Sequence, residues 1–476
     1  MAESTSSPTP TPTPTISPAL DKFKSMGFDE SKLQVIQSYS YENNGDVLVE
    51  LLGPWDQDSN VASAPVVLTA GHGGRYKPEY IANRTKDSHH ITKGGLYSFC
   101  SVTDLYTIDV GLSLVASMMD RYGHGREGEG GAVPYIIINH LDRSKIDVNR
   151  YKGPGAQDDP VAQGAWQAYH DFIALAQSKL RLKFGTVRGE HDMEGVVGLL
   201  IDIHGYSGNQ DWLWNMNADN DADADADVGQ TPFIHWGYRL PTDVLNKDDI
   251  SEDAHRSTFA FASSLQNHDL ESLIRGPKSL ASRFYSIFQE NQRTSSSSSF
   301  SPGNNAYCGA GIPSSEFPNP MKVTMDTHWC GIARTFANSN SSYVPSSCRY
   351  FSGGYTTIAH EHLDWQSEPR VGKLRMNTCQ MELPRCIRFG RMEGGSDGTA
   401  ANRTRIHSDV AHALTDAIDS FLSDLFPSKL GVRVGPTGTC TTETKSLVSK
   451  MEYDHECAST GASITNEKAH CSNAKL

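Results

Sequence analysis

No apolar run in the 476 residues approaches the length a membrane-spanning helix needs, so a helical membrane protein is not expected. The opening residues lack the basic-then-apolar pattern of a secretory signal. The nine cysteines are odd in number and scattered, with no C-x-x-C pair. That argues against a disulfide framework and against a cysteine-held zinc, and points to a reducing, cytoplasmic compartment. Positive charge is also short. Lys and Arg total 42 against 56 for Asp and Glu, a net charge of -14, so nucleic acid is not an expected partner. The glycine-rich span from Gly123 to Gly131 lacks the Gly-Lys-Ser/Thr ending of a phosphate loop. His360-Glu361-His362 is too short for the H-E-x-x-H helix of zinc proteases.

What is present divides the chain. Residues 1–18, rich in Ser, Thr and Pro, read as a disordered tail. Residues 19–430 read as a single α/β domain with low-complexity inserts near 217–229 and 294–304. In the first insert aspartate alternates mostly with alanine from Asp219 to Asp227; the second is serine-rich. Residues 431–476 are mostly polar and read as a largely disordered tail.

The domain is organised around Gly198 to Gly205. Its nearly continuous apolar run suits a strand buried on both faces. Asp202 interrupts that run and needs a partner once buried. His204 falls where the strand should end, the place where ligands gather in α/β sheets. Pro65 to Ala70 is a second buried strand, running into Gly71-His72-Gly73-Gly74, whose small residues let the backbone approach a ligand closely. Pro134 to Asn139 is a third. Val47 to Leu52 reads as an edge strand or hairpin. Met376 to Arg385 alternates so that Gln380 and Glu382 share one face.

Helices fill the intervals. Ile108, Leu112, Val115, Met119 and Tyr122 have amphipathic spacing, and Thr103 or Asp104 is placed as their N-cap. Val161 to Phe184 is a second helix, with His170 a packed core residue. Residues 255–293 look helical, and His407 to Leu425 is a further helix. His89-His90 reads as a surface pair. The expected fold class is α/β: a mixed, mostly parallel sheet flanked by helices, with long loop insertions.

Two strand-end histidines, a carboxylate near the first, an Asn149-Arg150 pair and a late Glu382 are the inventory of a mononuclear zinc hydrolase. Three protein ligands leave the metal an open position for water. A glutamate beside that water serves as general base, and an arginine clamps a substrate carboxylate.

Seven segments, in order over about 65–390, resemble motifs of the N-formylglutamate amidohydrolase family, whose fold is similar to zinc carboxypeptidases and aspartoacylase. Gly71-His72-Gly73-Gly74 resembles its Pro-His-Ala/Ser-Gly, and Thr103-Asp104 its Thr-Asp-Trp. The segment from Arg143 through Asp147 and Asn149 to Arg150 resembles Arg-x-x-x-Asp-Leu-Asn-Arg. Tyr169-His170 resembles a Tyr-His helix, and Asp202-Ile203-His204 resembles Asp-x-His-Ser. Gly353-Gly354-Tyr355 and Gln380-Met381-Glu382 resemble Gly-Gly-Tyr-x-Thr and Gln-x-Glu-Leu. The resemblance implies a phosphorylase/hydrolase-like, zinc-carboxypeptidase-like fold holding one Zn2+ on His72 and His204. The carboxypeptidase pattern would place the third ligand at Arg75, which cannot serve, so Asp104 is the choice and Glu79 the alternative. The resemblance further implies catalytic roles for Glu382 and Arg150. It implies substrate contacts from Asn149, Arg150, Arg143 and Tyr355 to a small molecule bearing a carboxylate. A carboxypeptidase-like peptidase and a non-catalytic scaffold are the alternatives.

Overall fold

A computed structural model describes residues 17–54, 61–92, 95–123, 130–189, 194–206, 234–240, 244, 251–265, 270–276, 278–294, 353–363, 366, 374–390, 398–427, 431–434 and 440–446. The aspartate-rich insert lies outside the described residues, as do residues 1–16 of the expected tail and all of the serine-rich insert beyond residue 294.

The elements, in chain order, are α1 (Pro18–Ser25), β1 (Leu33–Ser40), β2 (Val47–Pro54), β3 (Val61–Ala70), α2 (Thr107–Gly123), β4 (Gly130–Asn139), α3 (Lys152–Ala156) and α4 (Pro160–Phe184). There follow β5 (Thr186–Arg188), β6 (Glu194–Gly205), β7 (His235–Gly237), α5 (Ala260–Ser263), α6 (Leu270–Arg275) and α7 (Leu280–Thr294). The last are α8 (Tyr355–Ala359), β8 (Leu374–Leu383), α9 (Arg385–Phe389), α10 (Ala400–Leu425), β9 (Gly431–Val434) and β10 (Cys440–Ser446). The main sheet has the order β1-β2-β4-β3-β6-β8-β7, with β5 paired to β6. Its centre, β4-β3-β6-β8, is parallel, and the flanking pairs are antiparallel.

The three central runs are buried strands as their apolar sequences require. Val47 to Leu52 does form a hairpin with β1, but β2 also pairs with β4, so it is an interior strand rather than an edge. One face of the sheet packs Val67 and Leu200 against Trp166, Tyr169, Ile173 and Leu180 of α4. The other packs Leu68, Ile201 and Ile203 against α2 and α10 through Val115, Leu414 and Ile418. The α4 helix begins at an Asp159 cap that accepts from the N–H groups of Val161 and Ala162, and it ends at Gly185 with φ 74°. The span 255–293 is broken into short helices rather than one long one.

The ends of the domain differ from expectation in detail. Ser17 caps α1 and Pro18 opens it, so the last residues of the expected tail belong to the fold. At the other end Gly431–Val434 and Cys440–Ser446 pair as a two-stranded antiparallel sheet. No described helix is long and apolar enough to cross a membrane.

Candidate metal centre

Parallel register builds the site. On β3, β6 and β8 the aligned row is Thr69, Asp202 and Gln380, and His204 lies opposite Glu382 two residues further on. Period-two alternation puts Asp202 and His204 on one face, and Gln380 and Glu382 beside them. The strands end here, so the loops after β3 and β4 and the approach to α2 close over the same point.

His72, Asp104 and His204 meet there, all buried, with one ligand atom of each within 4.8 Å of the others. His72 Nδ1 is 3.3 Å from Asp104 Oδ2, and His204 Nδ1 is 3.2 Å from the same oxygen. The far nitrogen of each ring is held by its own carboxylate. His72 Nε2 lies 2.7 Å from Asp147 Oδ1, and His204 Nε2 lies 2.8 Å from Asp202 Oδ2. Both carboxyls are held below their ordinary range, so each accepts, and each Nε2 carries the hydrogen. That leaves both Nδ1 atoms aimed inward. Donors about 2.1 Å from a common tetrahedral ion lie about 3.4 Å apart, close to the separations seen. Two imidazoles backed by carboxylates, with one carboxylate between them, form a donor set suited to a borderline divalent ion such as zinc.

Electrostatics favour a cation. Burial raises Asp104, but hydrogen bonds from His204 and His72 outweigh it and hold the carboxyl below its ordinary value. Burial depresses His204, but the charge of Asp202 and the bond to Asp104 outweigh it, so the ring is held protonated without a metal. Arg143 balances the second carboxylate: its Nε donates to Asp147 Oδ2 at 2.9 Å, and its Nη1 lies 4.0 Å from Asp104 Oδ1. Glu382 is buried, which pushes its carboxyl up to about 7; the Asp104 charge adds to this, while His204 opposes it. Gln380 Nε2 donates to Glu382 Oε1 at 2.6 Å and fixes that carboxyl.

The candidate residues thus separate. Asp104 joins the two histidines, whereas Glu79 is exposed and lies outside the clusters found among the described residues. Asp104 is not the N-cap expected of it. The helix starts later, at Thr107, because Tyr106 adopts φ 70° between them. The guanidiniums of Arg75 and Arg403 lie over the Tyr106 ring, 4.5 and 4.4 Å from its centroid.

Asn149 reaches the site, but its amide is engaged there. Nδ2 donates to Gln380 Oε1 at 3.3 Å, and Oδ1 accepts from the Thr356 N–H at 3.1 Å. A side chain at Gly354 would sit 2.1 Å from the Asn149 amide, which accounts for that glycine. Arg150 is half-buried and donates to the carbonyls of Ser98 and Asn149. Arg143 serves Asp147, and Tyr355 is packed among Tyr151, Trp166 and His170. The glycines around His72 admit protein rather than a ligand: a Cβ on Gly74 would meet the His140 backbone at 2.3 Å.

Four contributors carry no role in the motif reading. Asp147 and Asp202 orient the histidines, and Thr69 Oγ1 donates to Asp202 Oδ1 at 2.6 Å. Arg388 ties the loops together through the carbonyls of Leu383, Leu105 and Tyr206. Asp202 had a signal, as the one acid in an apolar strand two residues from His204. Arg388 had none.

No family model and no curated protein matches the chain. A solved structure of a candidate carboxypeptidase A from Shewanella denitrificans OS-217 is similar at 10% identity. The match covers 84% of this chain and 68% of that one, with a TM-score of 0.27.

Proposed function

We propose that the chain is a zinc-dependent amidohydrolase that cleaves the amide of a small N-acyl amino acid, N-formylglutamate-like, with a free carboxylate. The observation that carries this reading is the convergence of two carboxylate-backed Nδ1 atoms on Asp104 Oδ2 beside a buried, near-neutral Glu382. His72, His204 and Asp104 would hold the ion. Bound there, it supplies Lewis acidity, polarising a carbonyl oxygen and acidifying a water.

The remaining work falls to the chain. Asp147 and Asp202 hold the rings in the tautomer that leaves Nδ1 open. Glu382, with its carboxyl near 7, takes the proton of the attacking water and returns it to the departing nitrogen. Gln380 keeps that carboxyl in place. Arg150, half-buried on the loop after Asn149, pairs with the substrate carboxylate and orients the amide. The net acidity of the chain and its scattered cysteines fit a small-molecule enzyme of the cytoplasm better than a nucleic-acid-binding protein.

The test is hydrolysis of N-formylglutamate and of short peptides by zinc-loaded protein and by Glu382→Gln. Hydrolysis of the former, lowered about 100-fold or more in the variant with zinc retained, is expected. Turnover of peptides alone makes the protein a carboxypeptidase-like enzyme. Turnover of neither by well-folded, zinc-loaded protein makes it a scaffold.

A further inference from the structure

A second set of metal-ligating side chains lies on the surface, two of them on the β3–α2 connection that also carries His72 and Asp104. His89, His90 and Asp158 each offer a ligand atom, and these lie within 4.8 Å of one another. His90 Nε2 is 3.0 Å from Asp158 Oδ1, and His89 Nδ1 is 3.9 Å from Asp158 Oδ2. Successive residues usually send their side chains apart, yet these two rings meet with centroids 3.9 Å apart and planes tilted by 38°. Both sit against one carboxylate.

The backbone is built to bring them there. Residues 82–90 form a strap that runs along the turn at 157–159, and each residue of that turn holds it. Gln157 Oε1 accepts from the Thr85 N–H at 3.1 Å, and Gln157 Nε2 donates to the Thr85 carbonyl at 2.7 Å. Asp159 Oδ2 accepts from the Ala82 N–H at 2.8 Å. Gln157 has φ 51°, a left-handed conformation that a non-glycine residue adopts only under constraint. The His90 ring lies over Gly153, where a Cβ would come within 2.9 Å of Nδ1. The turn, the strap and the glycine beneath the ring together fix where the imidazole and the carboxylate stand.

We infer that His89, His90 and Asp158 form a second site for a borderline divalent ion, zinc first among them, that pins the strap to the turn. Two imidazoles and one carboxylate repeat the donor chemistry of the first centre. Donors on a common tetrahedral ion lie about 3.4 Å apart, so an ion needs only a small closing of the His89 ring toward Asp158. The site is exposed: His89 and Asp158 side chains are 73% and 72% accessible, so the ion exchanges with solution. Beyond the strap the chain carries Ser98, whose carbonyl accepts from Arg150 Nε at 3.2 Å, so an ion here steadies a loop that supports Arg150.

The inference is independent of the proposed activity and is read without it. Metal-stripped full-length protein is dialysed against zinc chloride and its bound zinc measured. The variant H89A/H90A is expected to bind one equivalent fewer than wild type. D158N, which keeps both imidazoles, is expected to bind that equivalent at least ten-fold more weakly. H72A/H204A reports on the other centre: it keeps the equivalent lost from H89A/H90A whether or not His72 and His204 are ligands. Wild-type stoichiometry in H89A/H90A, or wild-type affinity in D158N, overturns the second site.

Discussion

His72 Nε2 lies 2.7 Å from Asp147 Oδ1, both side chains fully buried, and this contact decides which ring nitrogen His72 turns toward Asp104. With Asp147 ionised a hydrogen stays on Nε2, and Nδ1 is the nitrogen turned toward Asp104. Asp147→Asn removes that control and takes from the buried Arg143 guanidinium its nearer counter-charge, leaving only Asp104 at 4.0 Å. Zinc affinity should fall roughly 10- to 100-fold, read by competition with a chromophoric chelator, and the metal-free fold should lose about 3 kcal/mol or more.

Zinc binding should release protons. His204 is held protonated in the metal-free protein by Asp202 and Asp104, and an ion on Nδ1 must displace that proton. Affinity therefore rises with pH from about 6 upward. Calorimetry in two buffers of different ionisation enthalpy, near pH 7, checks this. Heats that differ between the buffers are expected, and buffer-independent heats would mean His204 enters the site already neutral.

Glu382 sets a pH dependence of metal-free stability. Its folded carboxyl titrates at about 7, above its ordinary 4.5, so the folded state holds an extra proton between those values. The stabilisation is complete below 4.5 and is lost as pH rises through 7. Glutamine cannot ionise. The melting temperature of Glu382→Gln should therefore gain on wild type steadily from pH 5 to 8, both measured with chelator present. A constant gap would mean that Glu382 is an ordinary exposed-type carboxyl.

Much of this centre is legible in the sequence. The apolar runs ending at His72 and His204 suit buried strands, and alternation along β8 puts Gln380 and Glu382 together. Asp104 was ambiguous because Thr-Asp before an amphipathic helix is ordinary capping chemistry. The left-handed Tyr106 sets it apart from α2, and no local pattern marks that conformation. Asp147 lies within a motif, yet its contact with His72 spans 75 residues and no local pattern encodes it. Asn149 and Arg143 read as substrate contacts because polar residues in a conspicuous motif invite that role. Their partners Thr356, Gln380 and Asp147 show them also supporting the loops.

Arg150 should distinguish acidic substrates from neutral ones. Arg150→Ala should raise KM or lower kcat/KM for N-formylglutamate about 10- to 100-fold, the range expected for a charge-assisted contact. An analogue lacking the side-chain and main-chain carboxylates should be affected far less. Equal losses on both substrates would place Arg150 in loop support alone, through Ser98 and Asn149.

The central claim is a single ion shared by three side chains, and anomalous diffraction at the zinc edge from crystals of the zinc-loaded protein tests it most directly. The account predicts a peak about 2.1 Å from His72 Nδ1, His204 Nδ1 and a carboxylate oxygen of Asp104. Zinc-loaded crystals with no anomalous density among these three residues would contradict it.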